Sequence, residues 1–206
     1  YLAMRLLLLV LFAVLLASPP TALAQGGGLD PASLLAPLEN SWPTYSGDYS
    51  GRRYSMLTQV NTDNVQQLTL AWTRTLDSGM PALEGPSAPD FIGGEGDGDF
   101  TIPSQRIKGS ILQVGDLLYV TAPDHVWALD VRDGGERWHY FWKTRGGPHI
   151  GNRGAALWRD LLIFETVDNY LVALDVKTGE ERWHTEIASF DEQYFSTMAP
   201  IVIGDH

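Results

Sequence analysis

From Leu117 onward the chain is built of short apolar runs broken at regular intervals by turn residues. LLYVTAPD (Leu117–Asp124) and LLIFETVDN (Leu161–Asn169) have the length and β-branched and aromatic content of strands. Each is preceded by a dipeptide, Gly115-Asp116 and Arg159-Asp160, and a third such pair stands at Gly204-Asp205. A Gly-Asp pair between apolar runs is two-residue hairpin chemistry, with glycine supplying the positive φ.

Behind each run comes a second pattern, and it repeats. VWALDVRDGGERWH (Val126–His139) matches LVALDVKTGEERWH (Leu171–His184) at an offset of 45 residues. The shared residues include Ala128/Ala173, Asp130/Asp175, Gly134/Gly179 and Trp138/Trp183. One unit therefore reads as strand, tight turn, strand, turn, strand, an Asp-x-x-x-Gly turn, and a strand entered by Trp. Such a unit cannot bury both faces alone, so neighbours must stack, and a period near 45 with a terminal Trp fits a β-propeller blade. The fold class predicted is all-β, a partial β-propeller of about three blades. Trp138 and Trp183 are read as architecture, Asp130 and Asp175 as turn residues rather than catalytic acids, and His139 and His184 as one shared structural position.

The remainder of the chain reads differently. Met4-Arg5, twelve apolar residues from Leu6 to Ala17, and Ala22-Leu23-Ala24 form a secretory signal over residues 1–24, with Met4 as the initiator. That predicts a periplasmic protein with no stable membrane span once the signal is cleaved. Residues 25–40 read as a flexible leader with one short helical turn, and residues 41–206 as the incomplete propeller. The Gly- and Asp-rich segment Asp77–Pro103 reads as a long loop; its alternating Glu95, Asp97 and Asp99 lack the rest of a calcium-loop pattern. With 25 acidic against 14 basic residues the formal charge is −11, which argues against a nucleic-acid partner. There is no cysteine, which removes disulfide and thiolate chemistry from this stretch.

One run does not fit a simple connector. GGPHIGNRGAALW (Gly146–Trp158) carries Asn152-Arg153-Gly154 amid turn residues. Together with SWPTYSGDYSGRRYSMLTQVNTDNVQQLTLAW (Ser41–Trp72), the Ala-x-Asp-x-x-x-Gly-x-x-x-Trp repeats and YFSTMAP (Tyr194–Pro200), it resembles the pyrroloquinoline quinone (PQQ) dependent alcohol dehydrogenases. The first repeat has Asp133 where the motif usually carries Thr; the second has Thr178. The resemblance implies an eight-bladed propeller holding PQQ and calcium, and oxidation of an alcohol to a carbonyl compound with electrons passed to a cytochrome or quinone acceptor. It implies that Arg153 contacts the quinone, where a guanidinium suits carboxylates and carbonyl oxygens, and that Thr197 contacts it through its hydroxyl. Two departures mark a divergent branch. Gly147-Pro148 stands where well-known members have adjacent cysteines, with His149 a candidate to stack in compensation, and Lys108 stands where the family has a glutamate. The resemblance places the calcium ligands and the catalytic base beyond His206, so neither a catalytic nor a metal-ligating residue is assigned in this chain. The rival reading is a noncatalytic propeller of the same repeat, an envelope scaffold for protein assembly.

Overall fold

The computed structural model describes residues 29–76, 90–97, 107–146, 151–204 and 206. The signal segment and His149 lie outside these residues. Nine strands appear among them: β1 Asp90–Gly93, β2 Leu112–Val114, β3 Leu117–Ala122, β4 His125–Asp130, β5 Glu136–Trp142, β6 Ala155–Trp158, β7 Leu161–Glu165, β8 Tyr170–Asp175 and β9 Glu181–Glu186. They form a five-stranded sheet in the order β1-β5-β4-β3-β2 and a four-stranded sheet in the order β6-β7-β8-β9. The chain is all-β; the second sheet is one sequence repeat, and the first is one repeat with β1 added at its edge.

The hairpin turns form where the punctuation predicts. Gly115 takes φ +57° between β2 and β3, and Arg159, without glycine's freedom, takes φ +53° between β6 and β7. Gly204 takes φ +62° in a turn closed by hydrogen bonds exchanged between Ile203 and His206. The two repeats differ in their central turn. Pro123-Asp124 joins β3 to β4, whereas Thr166-Val167-Asp168-Asn169 joins β7, one residue shorter than β3, to β8. The offset between repeats is thus 44 residues ahead of this turn and 45 behind it.

The sheets stack face to face. Tyr119, Val126, Ala128 and Tyr140 of the first share one buried cluster with Leu162, Phe164, Val172 and Leu174 of the second. β4 is buried along its whole length because its other face is also covered, Trp127 and Leu129 packing with Val120, Ala122 and Leu76. Between units the tryptophans dock. The Trp138 indole N–H donates to the Val176 carbonyl at 3.1 Å, and its ring lies so close to Gly179 that a Cβ there would sit 2.7 Å from Trp138 Cδ2. Trp72 does the same one unit earlier, donating to the Val131 carbonyl at 3.1 Å over Gly134. Both glycines also hold positive φ, +70° and +79°, so each satisfies a conformational and a steric demand at once. Trp183, the next in the series, is 39% exposed.

Asp130 and Asp175 are turn residues, as read. Each backbone carbonyl accepts from the glycine four residues on, and each carboxylate binds arginine: Arg132 and Arg137 for Asp130, Arg182 for Asp175. Arg132 and Arg137 hold the Asp130 carboxyl well below the usual range. Burial works against the charge on Asp175, but the N–H groups of Lys177 and Thr178 and the Arg182 guanidinium outweigh it and lower its pKa. The two histidines do not share an environment. His139 is buried, its Nε2 2.9 Å from His125 Nδ1, whereas His184 meets Glu181 at 2.6 Å and Glu95 at 3.2 Å.

Two segments are more ordered than the sequence suggests. Residues 90–97, read as part of a long loop, supply β1, which pairs in parallel with β5. Their glycines serve close approach: a Cβ on Gly94 would lie 2.3 Å from the Lys143 carbonyl oxygen, and one on Gly96 2.2 Å from that of Thr144. Residues 77–89 and 98–103 of the same stretch lie outside the described residues. In the leader, the expected helical turn is a 3-10 helix at Pro31–Leu35 capped by the Asp30 side chain, and Leu29, Leu34 and Leu38 are buried. Leu29 donates its N–H to the Arg159 carbonyl at 2.6 Å, so residues 29–38 pack against the second sheet rather than trail from it.

Candidate cofactor-contact site

Three of the four residues singled out from the sequence come together. The chain enters β2 through Ile107–Ile111, enters β6 through Gly151–Gly154, and passes both with a third extended segment around Thr197. Backbone hydrogen bonds stitch these segments side by side: Ser110 N–H to the Arg153 carbonyl at 3.0 Å, and Arg153 N–H to the Thr197 carbonyl at 3.0 Å. Arg153 is therefore the middle residue of the three. Glycines permit the approach. A Cβ on Gly109 would stand 2.6 Å from Thr121 Oγ1 and 3.1 Å from the Gly154 nitrogen, and one on Gly151 2.9 Å from Lys108 Cδ.

The Asn-Arg-Gly triplet divides its work. Asn152 is buried; its side-chain amide donates to the Glu165 carbonyl at 3.0 Å and its side-chain oxygen accepts the Gly154 N–H at 2.8 Å. Gly154 takes φ +136°, open to glycine and strained for other residues. With its neighbours fixed, Arg153 projects to solvent, and its guanidinium makes no hydrogen bond or ion pair among the described residues. Lys108 is also exposed, its stem lying against Gly151, and Thr197 is half-buried.

Arg153 stands on the wall of a cleft of about 450 Å³ between the entry segment, β6 and Met198–Val202. Tyr45, Tyr49, Ala155 and Leu157 line it, and the Tyr49 hydroxyl donates to the Val202 carbonyl. The entry segment is anchored at its start, where Trp42 and Gln113 exchange backbone hydrogen bonds at 2.7 and 2.9 Å, and at its end by Trp72. The tyrosines carry no spacing signal in the sequence. The turn behind the site was equally unmarked. Burial pushes the Glu165 carboxyl above its ordinary value of 4.5, and hydrogen bonding from Ser196 and the Met198 N–H only partly opposes this.

Two exposed cations on adjoining segments, Arg153 on the wall of a largely apolar cleft, suit an anionic ligand with several acceptor oxygens. A family model described as the PQQ, glucose/ethanol/alcohol dehydrogenase β-propeller domain matches residues 42–184, and the chain belongs to that family. Within it, the chain is 37% identical over 113 residues to the quinoprotein glucose dehydrogenase of Escherichia coli (strain K12), covering 53% of this chain and 12% of that protein. To the quinohemoprotein alcohol dehydrogenase of Comamonas testosteroni it is 31% identical over 125 residues, 57% of this chain and 14% of that one. The solved structure of a quinohemoprotein alcohol dehydrogenase from Pseudomonas putida HK5 superposes with a TM-score of 0.64 at 27% identity, covering 86% of this chain and 24% of that chain. The Comamonas testosteroni structure gives 0.61 at 29% identity, with 85% and 24% covered. The chain thus spans at most a quarter of the length of these relatives.

Proposed function

We propose that the protein carrying this chain is a periplasmic PQQ-dependent dehydrogenase that oxidises an alcohol to the carbonyl compound, passing electrons to a cytochrome or quinone acceptor. The observation that supports it is Arg153: an exposed guanidinium without a partner among the described residues, held between the Lys108 and Thr197 segments in a chain of this family. Bound PQQ would supply a quinone able to take the electrons of the alcohol carbon, and a calcium ion beside it would supply Lewis acidity. Arg153 pairs with a cofactor carboxylate or carbonyl oxygen and stabilises negative charge that builds up there. Lys108 adds a second positive charge from the neighbouring segment, and the Thr197 hydroxyl donates a hydrogen bond. His149, which lies outside the described residues, is the candidate to pack on the cofactor where the resemblance places a cysteine pair. Periplasmic location rests on the secretory pattern of residues 1–24; among the described residues no helix is long and apolar enough to cross a membrane.

Titration of the full-length protein with PQQ and calcium, followed by alcohol-dependent dye reduction, tests this reading. Wild-type protein takes up PQQ and reduces the dye. Arg153→Ala lowers PQQ affinity at least tenfold, a loss of roughly 1.4 kcal/mol or more, in the range of a charge-assisted hydrogen bond. Absence of PQQ uptake by the wild type overturns the reading and leaves the noncatalytic propeller in its place.

A further inference from the structure

The end of β7 and the turn that follows it touch two of the three segments that carry the candidate site. Just ahead of it the Glu165 carbonyl accepts the Asn152 amide, next to Arg153. Within it, the Asn169 side-chain amide donates to the Tyr194 carbonyl at 2.7 Å, and its side-chain oxygen accepts the Ser196 hydroxyl at 3.2 Å, one residue from Thr197. The turn is itself fixed from the preceding unit. The fully buried Asp168 carboxylate accepts the Trp142 indole N–H at 2.9 Å, the Thr166 hydroxyl at 2.6 Å and the Arg145 N–H at 2.9 Å.

We propose that Asn169 is a positioning residue that sets the Arg153–Thr197 pairing. Comparison of the repeats separates this role from backbone need. Asn169 takes φ +67°, and Asp124 takes φ +64° at the matching place in the first unit, so the left-handed conformation alone does not require an amide. What an aspartate cannot do is donate a hydrogen bond when ionised. The amide at 169 both donates and accepts, and both bonds reach the segment whose Thr197 carbonyl receives the Arg153 N–H. Loss of those bonds leaves residues 194–197 held, among the described residues, only by the Arg153–Thr197 bond and by the contacts of Ser196 and Met198 with Glu165, which loosens the segment relative to β6 while leaving the turn intact. The arrangement is a property of the chain itself; only the identity of the ligand that gains from it rests on the PQQ reading above.

Asn169→Gly is the decisive variant, because glycine adopts the required φ without strain and removes only the two side-chain bonds. In the full-length protein, hydrogen exchange at the Arg153 amide accelerates about tenfold or more, while the amides of Val172 and Leu174 in β8 keep their protection. Unchanged protection at Arg153 overturns the proposal. Asn169→Asp, which keeps the shape but sets a carboxylate against the Tyr194 carbonyl, gives the same local loosening and serves if the glycine variant fails to fold. The ligand arm uses PQQ itself. Asn169→Gly lowers PQQ affinity about tenfold in the wild-type background and has little further effect in Arg153→Ala, since it acts through that residue. An equal loss in both backgrounds overturns positioning through Arg153. If wild-type protein takes up no PQQ, the cofactor reading falls, and the exchange measurement still decides the role of Asn169.

Discussion

At the scale of single residues, the candidate site is a case of fixed neighbours presenting a free group. Asn152 uses both ends of its amide on the backbone, and Gly154 takes a conformation open to few other residues, so Arg153 is held at its Cα and unconstrained at its guanidinium. Glu165 stands at the opposite extreme, a carboxyl held where ionisation is disfavoured. Its folded-state pKa lies above the ordinary 4.5, so the folded protein binds this proton more tightly than the unfolded chain does. The sign follows: this residue favours folding most at low pH, and its contribution is lost as pH rises from 4.5 through the raised value. Glu165→Gln keeps an acceptor for Ser196 and Met198 and removes the charge. Its thermal midpoint is expected above that of the wild type at pH 7, with the gap closing below pH 4.5, measured by thermal unfolding across that range. A midpoint below the wild type at pH 7 would contradict this account.

At the scale of elements, the repeat was legible because its recurring glycines meet demands that few other residue types satisfy. Gly179 is the sharpest case: φ +79° and an indole carbon 2.7 Å from where a Cβ would stand. Gly179→Ala is expected to destabilise by about 2–4 kcal/mol, combining backbone strain with overpacking, whereas Gly115→Ala, with open space around its Cβ position, shows the backbone part alone. Comparing the two in urea separates the terms. Other elements were hidden for physical reasons. β1 was missed because glycine is ambiguous: in GGEG it allows one backbone to lie against another, and composition cannot tell that from a loop. The turn holding Asp168 and Asn169 was absorbed into the apolar run LLIFETVDN, since one inserted residue leaves no mark on periodicity. Lys108, Arg153 and Thr197 were legible only through the resemblance. Nothing in their own spacing shows that three separate segments meet at Arg153.

At the scale of the whole molecule, the sheets are joined by a shared core and by a series of tryptophans, each belonging to one unit and resting on the next. Trp72 docks on the turn of the first repeat and Trp138 on that of the second, with the same donor, the same carbonyl position and the same glycine beneath. Stability of stacked repeats is a sum of unit terms and nearest-neighbour terms, and Trp138 belongs to the second kind. Trp138→Phe retains an aromatic ring in the buried cluster but removes the bond to the Val176 carbonyl and part of the contact with Gly179. The expected loss is about 1–3 kcal/mol for an unsatisfied buried group. A purely internal role would shift the urea midpoint with the slope unchanged. A coupling role lowers the slope as well, because the two sheets then lose their structure over different ranges of denaturant. Trp72→Phe is the matched comparison within the same series: it removes the equivalent bond to the Val131 carbonyl one unit earlier, and it is expected to lower both midpoint and slope in the same way. A loss of slope confined to one of the two substitutions would show that docking onto the next unit is not what Trp138 contributes.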